Sequence, residues 1–281
     1  MTRRTFVPAL AASFAATAAA QEGPSRKGRL HQCVTTGVFR GSGMSIDEMA
    51  RAAAAQGAYG FDLIGPKDWP VLKQHGLVPT MMPPPWGGTI PDGLNRKENH
   101  ARIEKTIREA IDLCAANGVP NVITLSGYRR GMSDEEGADN CVLFLNKVKA
   151  QAEDKKINIC MELLNSKVDH KDYMCDHTAW GVGVMKRVNS PRVKLLYDIY
   201  HMQIMEGDIA RTIRGNIQYI EHFHTGGNPG RHEIDGTQEL DYHFVSKAIA
   251  DLGFQGQIAH EYTPVRDPIA SLKQAMEICT V

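Results

Sequence analysis

At 281 residues, with 42% hydrophobic and 23% charged residues, the chain has the size and make-up of one large soluble domain. Thirty-two basic residues balance 32 acidic ones, and no basic stripe, polybasic cluster or acidic tail breaks that balance, so a nucleic-acid partner is not expected. No run is both apolar and long enough to hold the mature chain in a membrane.

The first twenty residues differ from the rest. Thr2-Arg3-Arg4-Thr5-Phe6-Val7 sets paired arginines before a short apolar run, Pro8 to Ala20, which ends in Ala18-Ala19-Ala20 ahead of Gln21. A charged head, a short apolar middle and a small-residue end describe a secretory signal, and the paired arginines resemble the twin-arginine type. The expected organisation is a signal over 1–20, a linker over 21–28 and one domain over 29–281. The mature chain is then expected to be periplasmic or otherwise exported, and cytoplasmic if the signal goes unused. Removing the signal leaves 30 basic residues against 32 acidic ones.

Strand-like and helix-like segments then alternate. Leu30 to Thr36 reads as a strand. Ser45-Ile46-Asp47-Glu48 is a capping-box pattern that opens a helix to about Gln56. Tyr59 to Ile64 and Leu77 to Met82 read as strands on either side of a short helix near Pro66 to His75. The stretch from Pro83 to Gly93, rich in proline and glycine, reads as a long loop carrying Trp86. Asn99 to Asn117 places Ile103, Ile107, Ile111 and Cys114 at helical spacing, and Gly118 and Pro120 stop it. Asn121 to Ser126 is the fourth strand, and Ser133-Asp134-Glu135-Glu136 caps a helix to about Glu153.

Four more units follow. Their strands are Ile157 to Leu163, Val193 to Asp198, Tyr219 to His224 and Gln257 to Glu261. Their helices lie near His177 to Val188, Asp208 to Arg214 and Leu240 to Leu252, and from Asp267-Pro268 to about Ile278. Eight strands in strict alternation with eight helices require a parallel sheet, and at this length they favour a closed (β/α)8 TIM barrel. No Gly-x-Gly-x-x-Gly follows the first strand, which argues against an open dinucleotide-binding sheet. The six cysteines are widely spaced and read as buried thiols.

The chemistry is concentrated where the last four strands end, at Glu162, Asp198, His224 and Glu261. The intervals of 36, 26 and 37 residues are each about one strand-plus-helix unit. In a barrel such ends converge on one mouth. Three carboxylates and one imidazole make a hard, oxygen-rich set that suits a divalent metal ion, Mg2+ or Mn2+. Without a cation, the carboxylates would raise one another's pKa. His201 is read on the loop after Asp198. His222, two before His224, shares its side of the strand, whereas Glu221 should face the helices or solvent. Arg231, on the loop after His224, could clamp an acidic group.

Cys160-Met161-Glu162-Leu163-Leu164-Asn165-Ser166, Tyr197-Asp198-Ile199-Tyr200-His201-Met202-Gln203, Pro229-Gly230-Arg231-His232-Glu233 and Glu239-Leu240-Asp241-Tyr242 together resemble the hydroxypyruvate isomerase family. That family belongs to the xylose isomerase-like barrels, alongside the ketose 3-epimerases. The resemblance implies Glu162 and Glu261 as the paired catalytic glutamates and Glu162, Asp198, His224 and Glu261 as metal ligands. It implies His201 and Arg231 as substrate contacts. It also implies a small hydroxy-carbonyl substrate, converted through an enediolate, most simply hydroxypyruvate to tartronate semialdehyde. Family members commonly form homo-oligomers.

Two features depart from the family. Its members often carry Gln where this chain has His224, while ketose 3-epimerases carry His. The family's familiar members also lack an export signal. A ketose 3-epimerase or another sugar isomerase on the same scaffold, with Trp86 covering the sugar, is therefore the first alternative, and a non-catalytic exported binding protein the second. A metal-dependent phosphodiesterase of the endonuclease IV type would need more histidines and more positive charge.

Overall fold

Nine short strand segments form one parallel sheet: β1 His31–Val34, β2 Gly60–Phe61, β3 Val78–Pro79, β4 Met81–Met82, β5 Asn121–Thr124, β6 Asn158–Glu162, β7 Val193–Asp198, β8 Ile220–Thr225 and β9 Gln257–His260. This computed structural model describes residues 28–85, 87 and 89–281. The expected signal over 1–20, nearly all of the linker and Trp86 lie outside the described residues. The strand order is β3-β2-β1-β9-β8-β7-β6-β5-β4. Only Thr80 separates β3, which pairs with β2, from β4, which pairs with β5. The two ends of the order thus meet in one chain segment, and the expected eight-stranded barrel closes. Thr80 ties the interruption to the neighbouring strand: its N–H donates to Phe61 O at 2.9 Å and its hydroxyl to Asp62 Oδ1 at 2.7 Å.

The outer layer comprises α1 Ile46–Ala55, α2 Trp69–Gln74, α3 Lys97–Asn117, α4 Asp134–Lys155, α5 Thr178–Val188, α6 Ile199–Met205, α7 Ile209–Asn216, α8 Tyr242–Asp251 and α9 Pro268–Ile278. The reason each begins where it does is local. Ser45 Oγ accepts from Glu48 N at 3.4 Å while Ser45 N–H donates to Glu48 Oε2 at 2.8 Å, the reciprocal box the sequence predicts. Asp267 accepts from Ala270 N ahead of Pro268. α3 buries Ile103, Ile107, Ile111 and Cys114, and Gly118 ends it in the left-handed region at φ 71°.

Two hydrophobic layers result. One fills the space between sheet and helices. The other, inside the barrel, is the small cluster of Met81, Ile123, Cys160 and Leu196. Side chains two apart on a strand share a face, so this inner layer lies one step below Glu162 and Asp198. All six cysteines are buried and free, and burial pushes the Cys114 and Cys279 thiols up to about 12. No described helix is long and apolar enough to cross a membrane.

Glu221 turns to the barrel interior rather than to the helices and stays partly exposed to solvent there. The β7–β8 register shifts, with Leu195 opposite Ile220 but Leu196 opposite His222, leaving Glu221 as the extra residue of a bulge. Its Oε1 accepts from Asn158 Nδ2 at 3.1 Å. Asn158 bonds Asn121, which reaches Gln257 Oε1 at 2.8 Å from the opposite side of the ring. The bulge thus turns Glu221 into a polar floor beneath the inner apolar layer.

His260 gives the fold a pH dependence. It is fully buried, with ring nitrogens 3.0 Å from Gln32 Oε1 and 3.0 Å from Thr225 Oγ1, and burial lowers its pKa from 6.5 to about 4. A histidine that is neutral in the fold but titrates when unfolded stabilises fully above pH 6.5. That contribution fades as pH falls through 4, by on the order of 3 kcal/mol. Urea unfolding across this window should show His260→Gln losing less stability on acidification than the parent. Equal losses would remove His260 as the cause.

Candidate metal centre

The barrel mouth brings together the four strand-end residues. Glu162 ends β6, Asp198 ends β7, His224 lies in β8 and Glu261 follows β9. Each offers a ligand atom, and these atoms lie within 4.8 Å of one another. His224 Nδ1 is the hub, at 2.7 Å from Glu261 Oε2, 3.3 Å from Glu162 Oε1 and 3.8 Å from Asp198 Oδ2. His224, Asp198 and Glu162 are buried, while the Glu261 side chain is 27% exposed at the rim. All four sequence-predicted ligands therefore converge.

Their electrostatic settings differ. Burial drives the Glu162 carboxyl up to about 7, more than the pull of His224 reverses. Burial also acts on Glu261, but Arg231 and His224 outweigh it and bring the carboxyl down to about 2. For Asp198, the charge and hydrogen bond of Arg231 overcome the burial cost and hold it below the usual carboxylate range. Burial alone would discharge His224, yet the carboxylates around it, Glu261 first, raise its pKa well above the ordinary value.

The group fits a divalent cation on two counts. The donor set is hard and oxygen-rich, as Mg2+ and Mn2+ prefer. In addition, His224 Nδ1 is buried and makes no hydrogen bond despite its proximity to Glu261. A buried ring nitrogen without a bonding partner costs free energy, and a cation among these ligands would satisfy it.

Sequence reasoning missed the residue that orients this nitrogen. Asp62, just past β2 and fully buried, accepts from His224 Nε2 at 2.8 Å and from His222 Nε2 at 3.1 Å on the same oxygen. Its other oxygen accepts from Thr80. A carboxylate on the far ring nitrogen fixes the ring's orientation and keeps the proton on Nε2 when Nδ1 gives up its own to a cation. The available signal was the strand-end rule itself: β2 too ends in an acidic residue. His222, as expected, shares the side of β8 that carries His224.

His201 is not on a loop. It sits in the first turn of α6, a helix absent from the sequence reading, because Asp198 caps that helix by accepting from His201 N at 3.0 Å. Asn165 Nδ2 lies 2.6 Å from His201 Nδ1, which leaves the ring proton on Nε2, 3.9 Å from Asp198 Oδ2. Burial lowers His201 to about 4, so at neutral pH it is an uncharged donor. His201, Tyr200, Glu162 and Glu261 line a cavity of about 380 Å3. Arg231 lies beside it in the left-handed region at φ 54°, its Nη2 2.5 Å from both Asp198 Oδ2 and Glu261 Oε2. Its guanidinium also lies 4.8 Å from the Tyr200 ring centre.

Comparison with known proteins agrees with the barrel fold. A family model described as "Xylose isomerase-like TIM barrel" matches residues 70–280. A Danio rerio protein, named provisionally as a hydroxypyruvate isomerase, is 31% identical over 113 residues, 40% of this chain and 41% of its own. A 2-oxo-tetronate isomerase of Haemophilus influenzae is 26% identical over 239 residues, 79% of this chain and 89% of its own. Matches to relatives named for hydroxypyruvate isomerase span 38% to 64% of those proteins. Among solved structures, an AP endonuclease, family 2, from Brucella melitensis superposes with a TM-score of 0.78 at 23% identity, covering 86% of this chain and 96% of that one. At that identity the likeness speaks for the fold alone.

Proposed function

The chain belongs to the xylose isomerase-like TIM barrel family, and we propose that it is a metal-dependent isomerase of a small 2-oxo acid, most simply hydroxypyruvate. The observation that carries this is the convergence of Glu162, Asp198, His224 and Glu261 beside a cavity of about 380 Å3. Two relatives add support, since hydroxypyruvate and 2-oxo-tetronate, the compounds in their names, are both short 2-oxo acids.

Proton transfer falls to the outer two ligands, Glu162 and Glu261, which flank the site from either side. Carbon acids next to a carbonyl are weak, so a positioned carboxylate must take the proton and another group must return it. One glutamate removes the proton from C3, giving an enediolate, and the other delivers a proton to C2, while the C3 hydroxyl proton passes to the C2 oxygen. Tartronate semialdehyde is then the product from hydroxypyruvate. A divalent cation held by the four ligands would supply Lewis-acid polarisation of the substrate oxygens. His201, an uncharged donor on the cavity wall, hydrogen-bonds a substrate oxygen. Arg231 spans Asp198 and Glu261 and limits the carboxylates' mutual repulsion.

Proton return to the same carbon from the opposite face would make the chain a ketose 3-epimerase, a reading favoured by the histidine at His224. NMR in D2O with Mn2+- or Mg2+-treated protein separates the two. Metal-dependent deuterium uptake into hydroxypyruvate supports the isomerase. Exchange confined to C3 of D-fructose moves the assignment to epimerase. Ligand binding without exchange would make the chain a binding protein. For residues 1–20, export of the folded chain is likewise our proposal.

A further inference from the structure

Arg231 and Glu261 each line two cavities, so the mouth of the barrel is one site divided in two. The chambers differ in charge. The first, of about 380 Å3, is walled by the carboxylates of Glu162, Asp169 and Glu261 against the single guanidinium of Arg231. The second, of about 330 Å3, sets Arg40 and Arg231 against Glu261 alone, with Thr36 and Thr263 on its wall. With a divalent cation on Glu162 and Glu261, the first chamber's carboxylates would be largely offset by that ion, whereas in the second an anionic end of a substrate meets two guanidiniums and one carboxylate.

The two arginines are not equivalent. The Nη2 of Arg231 is committed to Asp198 and Glu261, and its guanidinium lies over Tyr200. Its Nη1, also buried, has no hydrogen-bond partner among the described residues. Arg40 follows the short 3-10 turn Thr36–Phe39 after β1. Only its backbone is engaged, donating to Gly37 O at 3.0 Å, and its guanidinium makes no hydrogen bond or ion pair with the described residues. Among the residues lining both chambers it is the one permanent cation that no carboxylate has claimed. The Thr36 and Thr263 hydroxyls are similarly uncommitted, whereas Thr35 Oγ1 is already used by His260 O and Gly37 N.

We propose that the second chamber is an anion subsite, in which Arg40 takes the substrate's carboxylate and so decides for 2-oxo acids over neutral ketoses. A planar guanidinium grips a carboxylate through two parallel N–H donors, which a lysine cannot reproduce. This rests on the reading above that the substrate is a small acid. It adds a second guanidinium to Arg231, the residue the sequence reading put forward for the carboxylate.

The test compares the Mn2+-loaded parent with Arg40→Gln and Arg40→Lys on hydroxypyruvate and D-fructose. In Arg40→Gln, KM for hydroxypyruvate should rise about tenfold or more with little change in kcat, the pattern of lost uniform binding. D-Fructose kinetics should not follow, and Arg40→Lys should recover part of the loss. Raising ionic strength should increase the acid's KM in the parent more than in Arg40→Gln, because the charge is exposed to salt. An acid KM within about twofold of the parent's overturns the subsite. If the parent turns over neither compound, the proposed reaction fails and calorimetry with hydroxypyruvate decides the subsite separately. Binding weakened about tenfold by Arg40→Gln upholds it. Equal binding, or none by the parent, overturns it.

Discussion

Glu162→Gln is expected to lower kcat by about a thousandfold or more while the protein remains folded. The glutamine keeps the size and one oxygen acceptor but can neither take nor give the substrate proton, and a positioned acid or base contributes about 10²–10⁴ in rate. The same change separates chemistry from folding. Burial raises the Glu162 pKa from 4.5 to about 7. Its stabilising contribution is thus complete below pH 4.5 and lost as pH rises through 7. In EDTA-treated protein at pH 8, the neutral glutamine should therefore melt no lower than the parent. A variant that exchanges deuterium into substrate at the parental rate would remove Glu162 from the mechanism. A variant that is unfolded at pH 8 would contradict the account of its burial.

Asp62→Asn should weaken Mn2+ binding by about 10–100-fold, the usual cost of losing a carboxylate behind a ligating histidine. One Asp62 oxygen accepts from both His222 and His224. An amide offers one acceptor and one donor, so its NH2 turned toward these rings would force a proton onto Nδ1 of one of them. At His224 that is the nitrogen facing Glu162, Asp198 and Glu261. Mn2+ titration followed by electron paramagnetic resonance reads the affinity directly, and activity should recover in part as Mn2+ is raised. Parental affinity in Asp62→Asn would reduce Asp62 to a packing role.

Much of this site was legible in the sequence because a parallel barrel turns strand ends into neighbours. Glu162, Asp198, His224 and Glu261 could be grouped from spacing alone, and the Ser45 and Asp267 caps from short motifs. What escaped depended on three-dimensional facts with no local signature. Asp62 lies far from His224 in the chain and joins it only through closure of the ring. Glu221 broke the alternation rule because a bulge shifts the β7–β8 register by one residue. α6 is short and nearly all buried, with Ile199, Tyr200, His201, Met202 and Met205 inside. It therefore lacks the polar stripe that marks an amphipathic helix. The contact of Arg231 Nη2 with two carboxylates was likewise invisible to spacing.

The two faces of Asp198 explain a choice of side-chain length. Oδ1 receives the His201 N–H that starts α6, while Oδ2 receives Arg231 and faces the His224 cluster. A carboxylate can serve both only if it stands close to its own backbone, as a residue at a helix start must. Glu162 and Glu261 have no such second duty and can afford the longer arm. Transplanting this centre into another barrel would therefore require moving the first turn of α6 together with Asp198. An aspartate-to-glutamate exchange, conservative by charge, would here break the coupling between a helix and the centre it serves.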